Sequence, residues 1–290
     1  MEAIANFIEF VNKFKVVVHY NGSGFDIPYI IKKCVQYNIS HCFDKLESID
    51  IYKIIARFKS LFKTSDIKQK TMEKFLKINR EDKYNGGELI NVYNNYCIKP
   101  SDDLLRLLLL HNHNDLTGML QILPLINYNV LLNKEYTLSS ISLNKTNKKE
   151  VIITLSSNKS LPVRVSCGNS NYYFIGFDHS IKICIQVYTE ELKFFYPNYK
   201  DYYYLPEEDR SIHKSVAFYV DKNFRTKAKA ANCYSKKTGT FLPQYKEVIT
   251  PFFRIDFYDK ISYFEYTDDF SENTEDILKY CHHIFSTLLA

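Results

Sequence analysis

The stretch Lys15-Val-Val-Val-His-Tyr-Asn-Gly-Ser-Gly-Phe-Asp-Ile-Pro28 decides how the N-terminal half is read. Val16, Val17 and Val18 form a short β-branched run, the composition of a buried strand. Asn21-Gly-Ser-Gly24 breaks it, because glycine tolerates the positive φ of a turn. Asp26 stands where a helix begins, and Pro28 falls in the first turn, where a missing N–H costs nothing. A strand, a glycine turn and a helix in that order make an α/β unit. Ligands in such folds bind beyond the carboxyl ends of the strands. Asp26 therefore has two readings at this point, a helix N-cap or an acid facing a ligand.

Outward from this stretch the same texture continues. Ile4, Phe7, Ile8, Val11 and Phe14 recur at helical spacing upstream, and Ile30, Ile31, Cys34 and Val35 give the following helix its apolar face. Residues 48–52 read as a second strand. Helical patterns cover 72–78 and 88–97, with Gly86-Gly87 between them. Ser101 is placed to cap a long helix that runs through Leu104 and Leu110 toward Pro124. From Tyr136 the pattern turns to short alternating strands at 151–155, 163–165, 172–177 and 181–188. A helix is expected at 212–229, strand again over 251–266, and a helix at the C-terminus. The expected organisation is an α/β region over 1–135 and a β-rich α+β region over 136–290.

Bulk properties narrow the classes. Of 290 residues 46% are hydrophobic, enough for a packed core and against a disordered chain. Seven cysteines with no C-x-x-C pair speak against a zinc ribbon or a disulfide framework and for free thiols in a reducing compartment. No apolar run reaches the length of a membrane span, and nothing at the start reads as a secretory signal. A cytoplasmic protein is expected.

A second polar insertion is His111-Asn-His-Asn-Asp115, set inside the leucine-rich helix. That helix is apolar nearly all round, so it is expected to be buried. His111 and Asp115 are four apart and share a face. They form either a local His–Asp pair or part of a site.

The strand–Asn21-Gly-x-x-Phe-Asp26-x-Pro–helix segment, followed by His111-Asn-x-x-Asp115-Leu on a helix, resembles the second and third motifs of ribonuclease H-like DEDD 3′–5′ exonucleases. The similarity is greatest to a bacterial subgroup of predicted exonucleases. Ser48-Ile-Asp-Ile-Tyr52, Lys68-Gln-Lys-Thr-Met-Glu73, Arg80-Glu-Asp82 and Gly86-Gly-Glu-Leu89 extend the resemblance over roughly the first 128 residues. It implies Mg²⁺ or Mn²⁺, held in part by Asp26 and Asp115 as metal ligands and catalytic acids. It also implies a catalytic His111 that orients or deprotonates water, with Asn21 and Asn112 positioning nucleic acid. The implied substrate is the single-stranded 3′ end of DNA or RNA.

The departure from that pattern lies in the first motif, a D-x-E strand, which is not found before Val16. The fold is thus expected to be ribonuclease H-like but incomplete at its N-terminus, with half of the metal site missing and strand edges left open. The chain is then a fragment or a misplaced start, a degenerate paralogue that only binds nucleic acid, or one that borrows the missing part from another copy.

The C-terminal half carries a cationic block. Residues 210–246 hold nine Lys or Arg and one acid, Asp221. On the expected helix Lys214, Lys222, Arg225 and Lys229 share a face opposite Ile212, Val216, Val220 and Phe224. Lys236 and Lys237 are expected in a hairpin turn. Such a stripe suits phosphate contacts or is simply a solvated face. The Phe194–Tyr204 aromatics would stack bases or fill a core. Three functions stand: an exonuclease-like enzyme impaired by its missing acids, a catalytically dead nucleic-acid-binding protein, and a protein-interaction module.

Overall fold

A computed structural model describes residues 1–80, 86–144, 146 and 149–289. The chain divides into two compact units, Met1–Asn129 with Ser160–Val165, and Val130–Lys159 with Ser166–Ala290.

The first unit is mixed helix and strand. Helix α1 (Glu2–Val11) leads into β1 (Val16–His19) and α2 (Asp26–Gln36). Then come β2 (Glu47–Asp50), α3 (Ile51–Ala56), α4 (Lys59–Phe62) and α5 (Gln69–Phe75). Two longer helices close it, α6 (Gly86–Ile98) and α7 (Asp102–Gln121), before a 3₁₀ stretch over Leu123–Asn129. Strands β1 and β2 run parallel, with Val16 opposite Glu47 and His19 opposite Asp50. Their carboxyl ends therefore emerge side by side. Among the described residues this sheet has two strands, and Phe7, Phe10, Phe14, Val16, Phe25, Tyr29 and Val35 are exposed around it. An aromatic group forms part of the unit's core. Phe58 and Phe62 pack on Tyr128 through tilted and edge ring contacts, Phe75 packs on Phe62, and the Tyr128 hydroxyl donates to the Val163 carbonyl at 2.9 Å.

Helix α7 starts as its sequence dictates, with the Ser101 hydroxyl accepting from the Leu104 N–H. It is not the buried rod its leucines imply. Leu105, Leu109, Leu116 and Leu120 are exposed, and Gly118 is the residue it buries.

The second unit begins at α8 (Val130–Asn133) and a three-stranded sheet of β3 (Tyr136–Leu143), β4 (Glu150–Gly168) and β5 (Tyr172–Gln186) in that order. Segments expected as four short strands are thus two long ones. Next come β6 (Glu191–Phe195), β7 (Tyr202–Leu205) and β8 (Arg210–His213), then α9 (Lys214–Ala217), β9 (Thr226–Lys227) and β10 (Tyr234–Thr238). The unit ends with β11 (Phe241–Gln244), β12 (Ser262–Glu265), α10 (Asp268–Glu272) and α11 (Thr274–Leu288).

The expected helix over 212–229 is therefore corrected. Its first residues belong to β8, which pairs with β7 (Tyr203 opposite Ile212). Only four residues are α-helical, and Asp221 then caps a 3₁₀ turn through the Asn223 N–H at 2.8 Å. Lys214, Lys222, Arg225 and Lys229 share no helical stripe. Lys236 and Lys237 lie within β10 rather than in a turn, paired with Asp209 and Glu265.

Buried tyrosines hold the C-terminal helix to this unit. The hydroxyls of Tyr172 and Tyr280 both donate to the Pro243 carbonyl at 2.6 Å. Next to it, buried Gln244 donates to the Ile249 carbonyl and accepts the N–H groups of Val248 and Ile249. All seven cysteines are free, and no helix of the described residues is long and apolar enough to cross a membrane.

Asp209 organises the β7–β8 turn. Its φ is 48°, a left-handed conformation that Asp tolerates. Its carboxylate takes Lys236 at 2.6 Å, the Tyr204 hydroxyl at 2.6 Å and the Tyr234 hydroxyl. Lys236 first, then the two tyrosines, hold this carboxyl well below the usual range. A depressed carboxyl stabilises the fold above its unfolded pKa, about 3.9, and loses that contribution as pH falls below it. Solvent screening trims the gain, because the group is partly exposed. Thermal melts of the wild type between pH 5 and pH 2 are expected to lose stability more steeply than those of Asp209→Asn. Equal slopes would mean the clasp is silent.

Candidate functional site

The most densely connected polar cluster of the first unit joins α5, α7 and the segment after α5. Glu73 is fully buried. The Arg80 guanidinium donates from Nη1 to both Glu73 oxygens at 3.2 Å and from Nη2 to Asp115 Oδ1 at 2.6 Å. His111 Nε2 stands 3.3 Å from Asp115 Oδ2, one helical turn away. Gln69 binds Glu73 at 2.9 Å and the Asp115 carbonyl at 2.7 Å. Glycine at 118 makes room for this packing, since a Cβ there would lie 2.1 Å from Glu73 Oε1. The four-residue spacing of His111 and Asp115 thus produces a real pair, and Arg80 makes it a chain of four charged or titratable groups.

The second cluster sits at the carboxyl ends of β1 and β2. Asp50 is buried and caps α3 through the Lys53 N–H; it also accepts the Asn21 N–H at 2.9 Å. Burial pushes its carboxyl up, but the Asn21 N–H leads a set of favourable contacts that brings it below the ordinary value, His19 among them. The His19 ring bridges the turn. Its Nδ1 takes the Gly22 N–H at 3.0 Å, which leaves the proton on Nε2, 2.7 Å from the Ser48 hydroxyl. His19 therefore lies 3.7 Å from Asp50 without donating to it. Asn21 adopts φ 58° and contributes its main-chain N–H. Asp26 is exposed in the first turn of α2, where Phe25 holds the N-cap position. Asp26 is therefore not the cap.

Tyr20 lies between the two clusters. Its hydroxyl donates to the Ile67 carbonyl. Burial raises its pKa first, with Tyr52 and the carboxylates of Asp66, Asp50 and Glu73 adding to the rise. Tyr20 thus feels carboxylates of both clusters.

His111 and Asp115 are together. Asn112 and His113 are exposed on α7, and no hydrogen bond or ion pair joins Asp26 to Asp115. Asp82 lies outside the described residues. Glu73, Arg80 and His19 carry the polar architecture together with Asp50, and the sequence pattern assigns no role to the first three. Their signal was present in the Gln69/Glu73 spacing and in a glycine inside α7.

The donors do not fit a two-ion centre as placed. Among the described residues no three His, Cys, Asp or Glu side chains form a metal-holding group. Asp115 already accepts from a guanidinium, which it shares with Glu73. A pair of hard cations wants several carboxylate oxygens turned toward one point.

In the C-terminal unit the aromatic run is half-buried packing. Tyr196 stacks on Tyr202 at 4.4 Å, and Arg225 covers the Tyr203 ring at 4.9 Å. Phe218 and Tyr219, by contrast, are 78% and 86% exposed.

Removing one partner from a buried pair leaves a charge without compensation. Arg80→Met is expected to lower unfolding stability by about 3–5 kcal/mol, read from the urea midpoint. Glu73→Met in the same chain should restore most of it. A single variant as stable as the wild type would show that Glu73 finds another partner.

Residues 1–127 match the family model described as the RNase_H superfamily. No curated protein and no solved structure matches the chain.

Proposed function

We propose that the chain handles nucleic acid as a relative of 3′–5′ exonucleases in which hydrolysis is impaired and holding the strand is the principal capacity. The match of residues 1–127 to the RNase_H superfamily supports the nucleic-acid assignment and a nuclease-like ancestry. The observation that carries the impaired reading is the Arg80–Asp115 contact at 2.6 Å. A guanidinium occupies the carboxylate that the exonuclease resemblance gives to a metal ion, and Asp26 stands apart from it. His111 is spent on the same carboxylate, so its imidazole orients Asp115 rather than a water.

Exposed surfaces support the binding half of the reading. Phe218 and Tyr219 lie in the segment that also carries Lys214, Lys222 and Arg225. Lys214 is paired with Asp201 at 2.6 Å, and Arg225 donates to the Ala217 carbonyl. The cationic segment is partly neutralised, and its two bare rings are the better contact for unpaired bases. Such stacking is worth roughly 1–3 kcal/mol per base.

The test is digestion of 3′-labelled and 5′-labelled single strands with Mg²⁺ or Mn²⁺, by the wild type and by Asp115→Asn, beside binding measured at two salt concentrations. The expected result is no stepwise shortening by either protein, with binding that weakens as salt rises. Trimming from the 3′ end that disappears in Asp115→Asn would overturn the impaired reading. Salt-independent failure to bind would overturn the nucleic-acid reading and favour a protein-interaction module. For the stacking contact, Phe218→Ala/Tyr219→Ala should weaken single-strand binding by roughly tenfold or more. Unchanged affinity would remove those rings from the interface.

A further inference from the structure

The geometry points to a binding pocket for a small phosphorylated ligand, of nucleoside-monophosphate size, against the last helix of the second unit. The pocket encloses about 430 Å³, within the usual range for small-ligand sites. Helix α11 presents Lys279, His282, Ser286 and Thr287 to it, and the segment after β11 adds Tyr245 and Lys246. The α11 positions are three or four apart or multiples of a turn, so they form one continuous face of the helix. The site belongs to the second unit and does not rest on the reading of the first.

Its chemistry is that of an anion site. No carboxylate lines it. Neither Lys246 nor Lys279 forms an ion pair among the described residues, whereas Lys193, Lys214, Lys236, Lys237 and Arg254 each hold an acid. Burial, then the charge of Lys134, lowers the pKa of His282. Burial, then Lys246 and His282, push the neighbouring His283 down to about 4, so it stays neutral near pH 7. Its Nε2 accepts the Tyr245 N–H at 3.0 Å, which fixes the chain next to Lys246.

Two lysines without an ion pair, on a face without a carboxylate, are what a phosphate would satisfy. It brings two negative charges and several acceptor oxygens. The Ser286 hydroxyl is a further donor on the same face. The walls decide the rest of the ligand. The Tyr245 ring is braced by Tyr172 at 5.7 Å, its hydroxyl held by Asn171 at 3.0 Å. With Val248 it gives a flat apolar side suited to a nucleobase. Inorganic phosphate would use the lysines alone, and a nucleoside the ring alone.

The experiment is calorimetric titration of the full chain with AMP, inorganic phosphate and adenosine, repeated on Lys246→Gln/Lys279→Gln. Both lysines are exposed, so the variant is expected to fold, and a thermal melt checks this. Saturable AMP binding is expected. Phosphate should compete for the site, adenosine should bind at least tenfold more weakly, and the double variant should lose at least tenfold in AMP affinity. Lys260→Gln, an exposed lysine outside the pocket, should bind AMP as the wild type does. Three outcomes would overturn the proposal: no AMP binding at millimolar concentration, equal affinity in the folded double variant, or binding of a 5′-phosphorylated oligonucleotide without binding of AMP.

Discussion

A carboxylate removed from water must meet a cation, and in the first unit that carboxylate is Glu73. Its side chain keeps 1% of its exposure, and Arg80 answers it from the segment beyond α5. The consequences reach further than the pair. A guanidinium has a fixed fork, and with one nitrogen on Glu73 the next falls on Asp115. That contact sets the rotation of α7 against α5. It brings Gly118 over Glu73, where no side chain would fit, and points His111 along the helix toward the same acid. The register of the polar cluster follows from a desolvation cost at one position.

Much of this was visible in the sequence, for physical reasons that can be named. The β-branched run before a glycine turn gave β1 and the start of α2. Ser101 gave the start of α7, and the four-residue spacing gave the His111–Asp115 pair. These are local features, in which a side chain answers its own backbone or its next turn. The Arg80–Asp115, Gln69–Asp115 and Asn21–Asp50 contacts were not visible, because they join residues 35, 46 and 29 positions apart. The 212–229 segment fails for a related reason. Its apolar residues do recur every four positions, but β7 offers the first of them a ladder of backbone hydrogen bonds. Non-local pairing of that kind overrides a local periodicity. The leucines of α7 misled in the opposite direction. Their number implied burial, but several of them face outward.

The second unit solves its own problem with tyrosine. Many of its aromatic residues carry a hydroxyl, and a buried hydroxyl needs an acceptor. Tyr172 and Tyr280 share the Pro243 carbonyl, and Tyr204 and Tyr234 share Asp209. One acceptor serving two rings ties separate strands and a helix to a few fixed points. The aromatic-rich sequence is therefore scaffold in most places, and Phe218 and Tyr219 are notable because they stand outside it.

Strand β4 spans 19 residues, and its middle, Ser160–Val165, belongs to the first unit although both of its ends belong to the second. Asn127 donates to the Ser160 carbonyl at 2.8 Å and Tyr128 to the Val163 carbonyl at 2.9 Å. The chain leaves the first unit and returns to finish it. During synthesis, then, the first unit cannot close when its own last helix emerges from the ribosome. The buried hydroxyl of Tyr128 takes its acceptor from a carbonyl 35 residues downstream, on a strand that follows the whole of β3 in the chain.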